Sequence, residues 1–482
     1  MYSDNSQPPI VPRTFPNCSL YVGFKTVQTS EHNSIIDLTV FSVKHLRADI
    51  SSVVSRRFVA NFAFAIMYSV TSFICSASLL LIVPLLCAAF KFLCADMTCT
   101  IRNWSPSEEG TFLLFHIPNE TYLLTLINLK ANTFNLDTVN RARSYVTEVE
   151  IERSSVKKVV MPSAATISRL KLKQTYLSDI TLEVGNEWLS FLTITDSRMK
   201  SVPATIAHLV VLEMLEISKS FIETVNLNLF SKLTQLRHLN LCDNKILFLH
   251  LSDAAGGNFA QLSDLFLSDN LLTTIDLSGF SNMKVLETLD LHSNRIRRVQ
   301  GALVSNNLKF LDLSENRIET LDCCAWNIAS LNRFKLSSNE LVTLPSCLPL
   351  TMPNVNYLIF QRNALTDGDS WYSLFTLEGL LQLDISYNRL TKAVFDIVSQ
   401  SLLVLDLQNN NIKVLSVPAA GKGLKVLASF NSIDTFDIKS LSPNVTFLEM
   451  LGNPIDCTFD RARMRIGQEP VCYICNTSQI LN

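Results

Sequence analysis

The chain has 482 residues, of which 48 % are hydrophobic and 17 % are charged, so its composition is that of a folded protein and not of a disordered one. The formal net charge is −2 and no long run of lysine or arginine occurs, which argues against nucleic acid as a partner. Only 13 glycines occur, and the signatures of metalloproteases, α/β-hydrolases, nucleotide-binding folds and kinases are missing. We therefore expect no catalytic residues, no metal site and no small-molecule cofactor, in a protein that is not an enzyme.

An apolar segment follows residues 1–57, which show no repeat and are predicted to be poorly ordered. The 33 residues of Phe58–Phe90 contain no Asp, Glu, Lys or Arg, whereas about 20 apolar residues are enough to cross a bilayer. Arg56 and Arg57 stand directly before this segment, and the positive-inside rule then puts the N-terminus in the cytoplasm. We predict a transmembrane or signal-anchor helix over residues 58–93, which makes the chain a single-pass membrane protein with its repeats on the extracellular side.

The same segment has an alternative interpretation as a cleaved secretory signal. Translation would then start at Met67 and processing would occur near Cys87-Ala88-Ala89, so that the protein is secreted. Either interpretation exports the following residues, where four Asn-X-Ser/Thr acceptors for N-glycosylation are found. These acceptors are Asn103, Asn119, Asn444 and Asn476.

A short repeat fills most of the chain after the apolar segment. Its clearest copy is Leu308–Ile318, which reads LxxLxLxxNxI with Asn316 as the asparagine. Fifteen copies follow one another at spacings of 21 to 26 residues, which is the range of leucine-rich repeats. They start at Leu124, Val146, Ile167, Leu189, Leu212, Leu236, Leu262, Leu286, Leu308, Leu331, Val355, Leu380, Leu402, Gly423 and Val445. Serine or threonine replaces the asparagine in the four copies from Val146 to Leu212, and the outlying first copy is read with Asn132 at this position.

The spacing of the leucines explains why one copy cannot fold alone. In the L-x-L step, Leu311 and Leu313 point to the inner side of a strand. Phe310 and Asp312 point to the outer side. Stacked copies pair their strands in parallel and bury the leucines in one core, while the asparagine bonds to backbone groups of the turn more completely than serine or threonine can. We therefore predict an α/β leucine-rich-repeat solenoid over residues 124–456, a curved horseshoe with a concave parallel sheet, in which the copies that lack asparagine are looser.

Cysteines flank the repeats at both ends. Cys94 and Cys99 precede the first copy, and residues 94–123 are predicted to form an N-terminal cap. After the last copy, the segment from Asn453 to Cys457 resembles the C-terminal cap of extracellular leucine-rich-repeat proteins. The resemblance extends over about three quarters of the chain, and it implies that both caps are disulfide-bonded.

The C-terminal cap, residues 457–482, departs from the family pattern. Such caps normally carry four cysteines, and only Cys457, Cys472 and Cys475 are present here. Cys472 and Cys475 also have the C-x-x-C spacing of zinc or redox motifs, which is the less favoured interpretation because no second pair and no nearby histidine accompany them. Cys324 and Cys347 occupy equivalent positions of adjacent copies, and they are either bonded or two packed reduced residues.

The outward strand positions of a solenoid converge on one long surface, which is where we expect a partner to bind. Seven aromatic or histidine side chains are predicted on this concave face, and aromatic residues are enriched in binding hot spots. They are Phe191, His238, Phe266, Phe310, Tyr357, Tyr387 and Phe447. The resemblance to receptor ectodomains implies a membrane-anchored or secreted recognition protein for a protein, peptide or glycan ligand. Two alternatives stay open: an intracellular leucine-rich-repeat scaffold or regulatory subunit, and the ectodomain part of a receptor-like kinase.

Overall fold

The computed structural model describes two compact units. The residues that it describes are 25–27, 35–40, 90–142, 145–251, 259–368, 371–396, 398–455 and 471–473. The first unit holds those up to Asn132 and from Thr138 to Val156, and the second unit holds Thr133–Asp137 and those from Lys157 onwards. Each unit is built around one β-sheet, to which short helices and turns are added.

The sheet of the first unit begins with antiparallel strands and continues with parallel ones. In pairing order the strands are Lys25–Val27, Ile35–Val40, Phe90–Ala95, Thr98–Arg102, Leu123–Ile127 and Glu148–Ser154. The first three junctions are antiparallel and the last two are parallel. A four-residue α-helix, Pro106–Glu109, and a 3-10 helix, Phe112–His116, lie between the strands Thr98–Arg102 and Leu123–Ile127. The helix Asp137–Ala142 follows the short strand Thr133–Asn135.

The end of the predicted membrane helix is wrong, because Phe90 to Leu93 belong to a strand. Phe90, Phe92 and Cys94 are buried while the residues between them are exposed, which is the period-2 pattern of a half-buried strand and not of a helix. Residues 58–89, the rest of the predicted helix, lie outside the described residues. Within the described ranges, no helix has both the length and the apolar character needed to span a membrane.

The second unit is a long parallel sheet that contributes one strand from each repeat. Its strands are Arg169–Thr175, Phe191–Thr195, Met214–Ser218, His238–Asn240, Asp264–Phe266, Thr288–Asp290, Phe310–Asp312, Arg333–Lys335, Tyr357–Ile359, Gln382–Asp384, Val404–Asp406, Leu424–Leu427, Val445–Glu449 and Val471–Tyr473. Leu311 and Leu313 are fully buried, and the equivalent residues of the neighbouring repeats are buried as well. The predicted leucine-rich-repeat solenoid with a parallel sheet is therefore confirmed.

The opposite side of each repeat carries short ladders and helical turns in place of long helices. The parallel ladders are Thr133–Asn135 with Lys158–Met161 and Asp179–Leu182, Thr224–Asn226 with Phe248–His250, Thr274–Asp276 with Arg298–Gln300, and Lys392–Val394 with Val414–Ser416. The α-helices of this side are Leu348–Thr351 and Trp371–Leu374, and the 3-10 helices are Ala204–His208, Leu227–Lys232, Ser278–Asn282 and Ile438–Ser440. The short helical pieces that the sequence predicts are thus accompanied by a second set of strands.

The register of the first repeat differs from the prediction. Leu124 and Leu126 are the inward pair of its strand. The position that Asn316 has in its own repeat is therefore taken by Leu129, and not by Asn132. Leu129 is fully buried, and its N–H donates to Ser154 Oγ of the next repeat at 2.9 Å. The error arose because Leu124 and Ile127 fit the L-x-x-L step as well, and only the pairing of the strands distinguishes the two registers.

A ladder of buried asparagines ties the repeats of the second unit together. Asn316 Nδ2 donates to the carbonyls of Leu313 and Ser314 in its own repeat, and to that of Leu291 in the preceding one, at 3.0 to 3.1 Å. Its Oδ1 accepts from the N–H of Ile296, also in the preceding repeat, at 2.9 Å. The same two bonds to the preceding repeat are made by Asn244, Asn270, Asn294, Asn339, Asn363, Asn388, Asn410, Asn431 and Asn453. Each asparagine therefore closes its own turn and joins it to its neighbour.

Serine and threonine satisfy fewer of these groups in the earlier repeats. Ser197 and Ser220 share one hydrogen bond of 2.7 Å between their hydroxyls, and Ser220 donates to the carbonyl of Ser218. The buried hydroxyl of Thr175 has no hydrogen-bond partner among the described residues. This difference supplies the physical basis for the predicted looseness of these repeats, since each turn has fewer bonds to its neighbour.

Replacing the ladder residue Asn316→Ala should destabilise the protein by about 1–3 kcal/mol, because buried backbone groups lose their partner. The measurement is the midpoint of urea unfolding followed by circular dichroism. Arg317→Ala is the matched control, since Arg317 is the exposed next residue, and a change within about 0.5 kcal/mol is expected for such a surface position. Equal losses in the two variants would contradict the role of the ladder.

Candidate functional site

The outward side chains of the second unit form ordered rows across its sheet, and we call this surface the sheet face. Strand pairing in register sets one residue of each row beside its equivalent in the next strand, about 4.8 Å away. The first row is Arg169, Phe191, Met214, His238, Asp264, Thr288, Phe310, Arg333, Tyr357, Gln382, Val404, Lys425 and Phe447. The second row is Lys171, Thr193, Glu216, Asn240, Phe266, Asp290, Asp312, Lys335, Ile359, Asp384, Asp406, Leu427 and Glu449.

Six of the seven predicted binding residues lie on the sheet face. The first row contains Phe191, His238, Phe310, Tyr357 and Phe447, and the second row contains Phe266. Their placement shows that the repeat alone predicts which side chains share this surface. Whether they bind a ligand stays a prediction.

Tyr387 is not at an outward strand position, so this part of the prediction is wrong. Its strand is Gln382–Asp384, and Tyr387 comes directly before the ladder residue Asn388 with a positive φ of 56°. The residue before the asparagine has a positive φ in the neighbouring repeats too, for example Arg362. The chain leaves the strand at this left-handed residue, and the period-2 rule that governs outward positions no longer applies there.

Cations stack on the aromatic rings of the sheet face. The Arg333 guanidinium lies 4.6 Å from the centre of the Tyr357 ring, and Lys335 Nζ lies 5.0 Å from that of Phe310. Arg169 lies over Phe191 in the same way, at 4.6 Å. Each pair joins adjacent strands, and such cation–π contacts contribute about 0.5–1 kcal/mol at exposed positions. The aromatic residues are consequently half-buried and held in place before any ligand arrives.

Acidic and histidine side chains form a second group, in the middle of the sheet face. His238 Nδ1 lies 2.8 Å from Asp264, and His292 Nδ1 lies 2.7 Å from Asp290. The hydrogen bond to Asp290, with the negative charges around it, raises the pKa of His292 above its ordinary value. Asp312 is buried and pairs with Lys335 at 3.1 Å.

Asp290, His292 and Asp312 are close enough to hold a metal ion, since one ligand atom from each lies within 4.8 Å of the others. Each of the three already has a protein partner, however, and the ammonium of Lys335 occupies the position beside Asp312. This group is therefore described as an ion-pair network. The expectation that the chain has no metal site stays a prediction.

A row of carboxylates marks the C-terminal part of the sheet face. Asp384 and Asp406 are neighbours in the second row, and Glu449 lies two strands further on. Burial raises the pKa of Asp406 to about 6, although the N–H of Gln408 donates to it, and the charges of Asp384 and Glu449 raise it further. The charge of Asp406 therefore changes in the mildly acidic range.

Two disulfides lie within the described residues. Cys94 and Cys99 are joined across antiparallel strands, and Cys324 is joined to Cys347, the pair for which the sequence left both states open. Cys457 and Cys475 lie outside the described residues, and Cys472 falls in the strand Val471–Tyr473, of which only the backbone is described. The pairing of the C-terminal cap therefore stays a prediction.

The glycosylation acceptors differ in their surroundings. Asn119 is exposed, whereas Asn103 is half-buried and accepts from Asn128 Nδ2 at 2.7 Å. Asn444 is also half-buried, and its Nδ2 donates to the carbonyl of Ala420 at 2.7 Å. Asn476 lies outside the described residues. Among the acceptors within the described residues, Asn119 has the best access for a glycan.

Reasoning from the sequence missed the basic partners of the aromatic residues. Arg333 and Lys335 are outward residues of one strand, two positions apart, and each lies beside an aromatic residue of a neighbouring strand. The repeat template contains this information, because residues at the same template position in adjacent copies become neighbours. The prediction considered single outward residues and not such pairs.

The repeated strands, the asparagine ladder and the open outer face together define a leucine-rich-repeat protein. A family model described as "Leucine rich repeat" matches residues 247–296. The chain is similar to keratocan of Bos taurus, with 28 % identity over 289 residues that cover 53 % of this chain and 77 % of keratocan. It is similar to lumican of Rattus norvegicus, with 28 % identity over 260 residues that cover 46 % of this chain and 74 % of lumican.

A solved structure supports the fold independently. A leucine-rich-repeat protein of Leptospira interrogans is similar over 77 % of this chain and 92 % of its own, with 20 % identity and a TM-score of 0.55. At this level of identity the likeness shows the fold alone. Taken with the relatives, it confirms the resemblance to extracellular leucine-rich-repeat proteins.

The raised pKa of Asp406 predicts a pH-dependent effect of Asp406→Asn. Since the folded protein holds the Asp406 proton up to about pH 6, against an ordinary carboxyl pKa of 3.8, wild-type stability falls as the pH rises through this interval. The amide stays neutral and still accepts from Gln408, so the variant should be more stable than wild type by about 1–2 kcal/mol near neutral pH, after allowance for screening by solvent. The gain should vanish towards pH 4, as measured by urea unfolding at several pH values.

Asp434→Asn is the matched control, because Asp434 is exposed and lies off the second row. It should not reproduce a gain that grows with pH. If Asp406→Asn shows a constant difference from wild type at all pH values, burial of the charged carboxylate is not what governs this position.

Proposed function

We propose that this chain is an exported recognition protein that binds a protein, peptide or glycan ligand on the sheet face. The observation that carries this proposal is the continuous outer surface of the second unit, where aromatic, acidic and basic side chains lie in register. The inward leucines and the asparagine ladder hold the fold, so the outward residues are available for binding. Broad surfaces with stacked aromatic and arginine residues are typical of protein-binding sites.

The disulfides support export. Cys324 is exposed and Cys347 is half-buried, so the bond between them is near the surface and persists only in an oxidising compartment. The bond between Cys94 and Cys99 and the exposed acceptor Asn119 agree with the same compartment. These observations favour an exported protein over an intracellular scaffold or regulatory subunit.

Strand pairing in the first unit argues against a single-pass anchor. Ile35–Val40 pairs with Phe90–Ala95 in one sheet, and the apolar segment lies between these strands in the chain. One crossing of a bilayer between them would put the two strands on opposite sides, where they cannot pair. Cleavage after Ala89 would make Phe90, the first residue of a strand, the new N-terminus, and the product would then lack Ile35–Val40.

A glycan placed on the sheet face should block ligand binding. Asp384→Asn creates the acceptor Asn-Ile-Ser at an outward strand position, where a glycan would cover the second row. We expect wild-type protein to be crosslinked to specific extracellular partners, identified by quantitative mass spectrometry on intact cells. The same partners should be lost when the Asp384 position is glycosylated.

The matched control places a glycan on the other side of a repeat. Ala329→Ser creates the acceptor Asn-Ile-Ser at Asn327, which is exposed and lies off the sheet face. This variant should keep the partners of wild type. Loss of binding in both variants, or in neither, would argue against the sheet face as the binding surface.

Topology is tested by expressing the full chain with microsomes, followed by protease and glycosidase treatment. The secreted form predicts a protected, glycosylated product whose N-terminus lies near Phe90. An uncleaved product with an accessible N-terminus would support the membrane anchor instead. A fully digested product without glycans would contradict the proposal that the chain is exported.

A further inference from the structure

We infer that the sheet face binds an extended peptide segment of a protein partner, which places one acidic side chain on Arg333 and basic side chains to either side of it. This inference rests on the proposed function, because it concerns the same surface. It is carried by a group of four residues, Phe310, Arg333, Lys335 and Tyr357, which we call the aromatic–cation patch. All four lie on three adjacent strands in the first two rows.

The two cations of the patch differ in whether a carboxylate of the described fold forms an ion pair with them. Lys335 is committed to the buried carboxylate of Asp312, at 3.1 Å. Arg333 is exposed, and no carboxylate among the described residues forms an ion pair with it. One positive charge on the sheet face therefore has no countercharge from the described part of the fold.

The geometry of Arg333 fits a carboxylate. The central carbon of its guanidinium lies over the Tyr357 ring, 4.6 Å from the ring centre, and a guanidinium that stacks flat on a ring leaves its N–H edge open. A guanidinium binds a carboxylate through two parallel hydrogen bonds made by this edge. Because stacking already restricts the side chain, less conformational entropy is lost on binding than for an unstacked arginine.

Carboxylates on both flanks select the kind of ligand. Asp290, which also bonds to His292, lies two strands before Arg333, and Asp384 lies two strands after it. Neighbouring strands are about 4.8 Å apart, and both carboxylates lie in the second row whereas Arg333 lies in the first. Each carboxylate is therefore about 10–12 Å from Arg333. A sulfated glycan, with negative charge along its whole length, would meet both of these carboxylates and be repelled.

A peptide with alternating charge fits the same arrangement. An extended chain advances about 3.3 Å per residue and alternates its side chains between two faces, so charges on one face that lie about 10–12 Å apart are matched best at a spacing of four residues. The complementary segment has an acidic residue in its centre and a basic residue four positions to either side, since only residues an even number of positions apart share one face of an extended chain. The aromatic rings of Phe310 and Tyr357 supply apolar contacts to the residues between them.

The test measures binding of a labelled peptide to the full-length secreted protein at low ionic strength, by fluorescence polarisation. The probe has nine residues, with glutamate in the centre, lysine at both ends, and alanine and phenylalanine between them. Wild type should bind it, and Arg333→Glu should weaken binding by about tenfold or more, because an attractive pair becomes repulsive. A second probe, with lysine in place of the central glutamate, should prefer the Arg333→Glu protein.

The control variant is Arg317→Glu, which changes an exposed arginine off the sheet face and should bind both probes as wild type does. Arg333→Gln, which removes the charge without reversing it, should weaken binding of the first probe and keep the fold. Failure of the first probe to bind wild type, or equal binding by wild type and both Arg333 variants, would overturn the inference. So would tighter binding of a heparin oligosaccharide that depends on Arg333.

The two proposals can fail separately. A glycan at the Asp384 position could abolish partner binding while the Arg333 variants still bind. The sheet face would then be the binding surface, and the inference that an acidic ligand residue binds Arg333 would be wrong. If neither change affects partner binding, both proposals fall.

Discussion

The structure depends on the hydrogen bonds that each buried asparagine makes to its own turn and to the turn of the preceding repeat. Asn316 makes four such hydrogen bonds, two of them to the preceding repeat. Parallel strands of three residues bury too little surface to be stable alone, and the leucines behind them need neighbours on both sides. The ladder satisfies backbone groups that burial would otherwise leave unpaired, so that leucine packing can extend from one repeat to the next.

This division of labour leaves the outer face for binding. The inner leucines and the ladder asparagines determine the strand register, and the register determines which outward residues become neighbours. Arg333 comes to lie on Tyr357, and Lys335 on Phe310, because their strands are aligned residue by residue. The stacked pairs are therefore ordered by the fold itself, and a ligand meets a surface that needs little rearrangement.

Much of this could be predicted from sequence, because the leucine and asparagine positions report burial directly. The template located fourteen of the fifteen registers, and it failed at Leu124, where two alignments fit the leucines equally well. Tyr387 was misplaced because strand alternation was extended into the left-handed residue before Asn388. The helix prediction ran past Phe90 because hydropathy averages over a window and does not register alternating burial. Ion pairs and stacked rings depend on side-chain conformations, which a repeat template does not contain.

The central claim is that ladder asparagines, and not leucine packing alone, set the local stability of each repeat. Hydrogen exchange of backbone amides, resolved by repeat, tests it most directly. The account predicts slow exchange in the turns held by asparagine, including the amides of Ile296 and Ile318, and faster exchange in the turns that follow Arg169–Thr175 and Phe191–Thr195. Equal protection, or the reverse order, would contradict it.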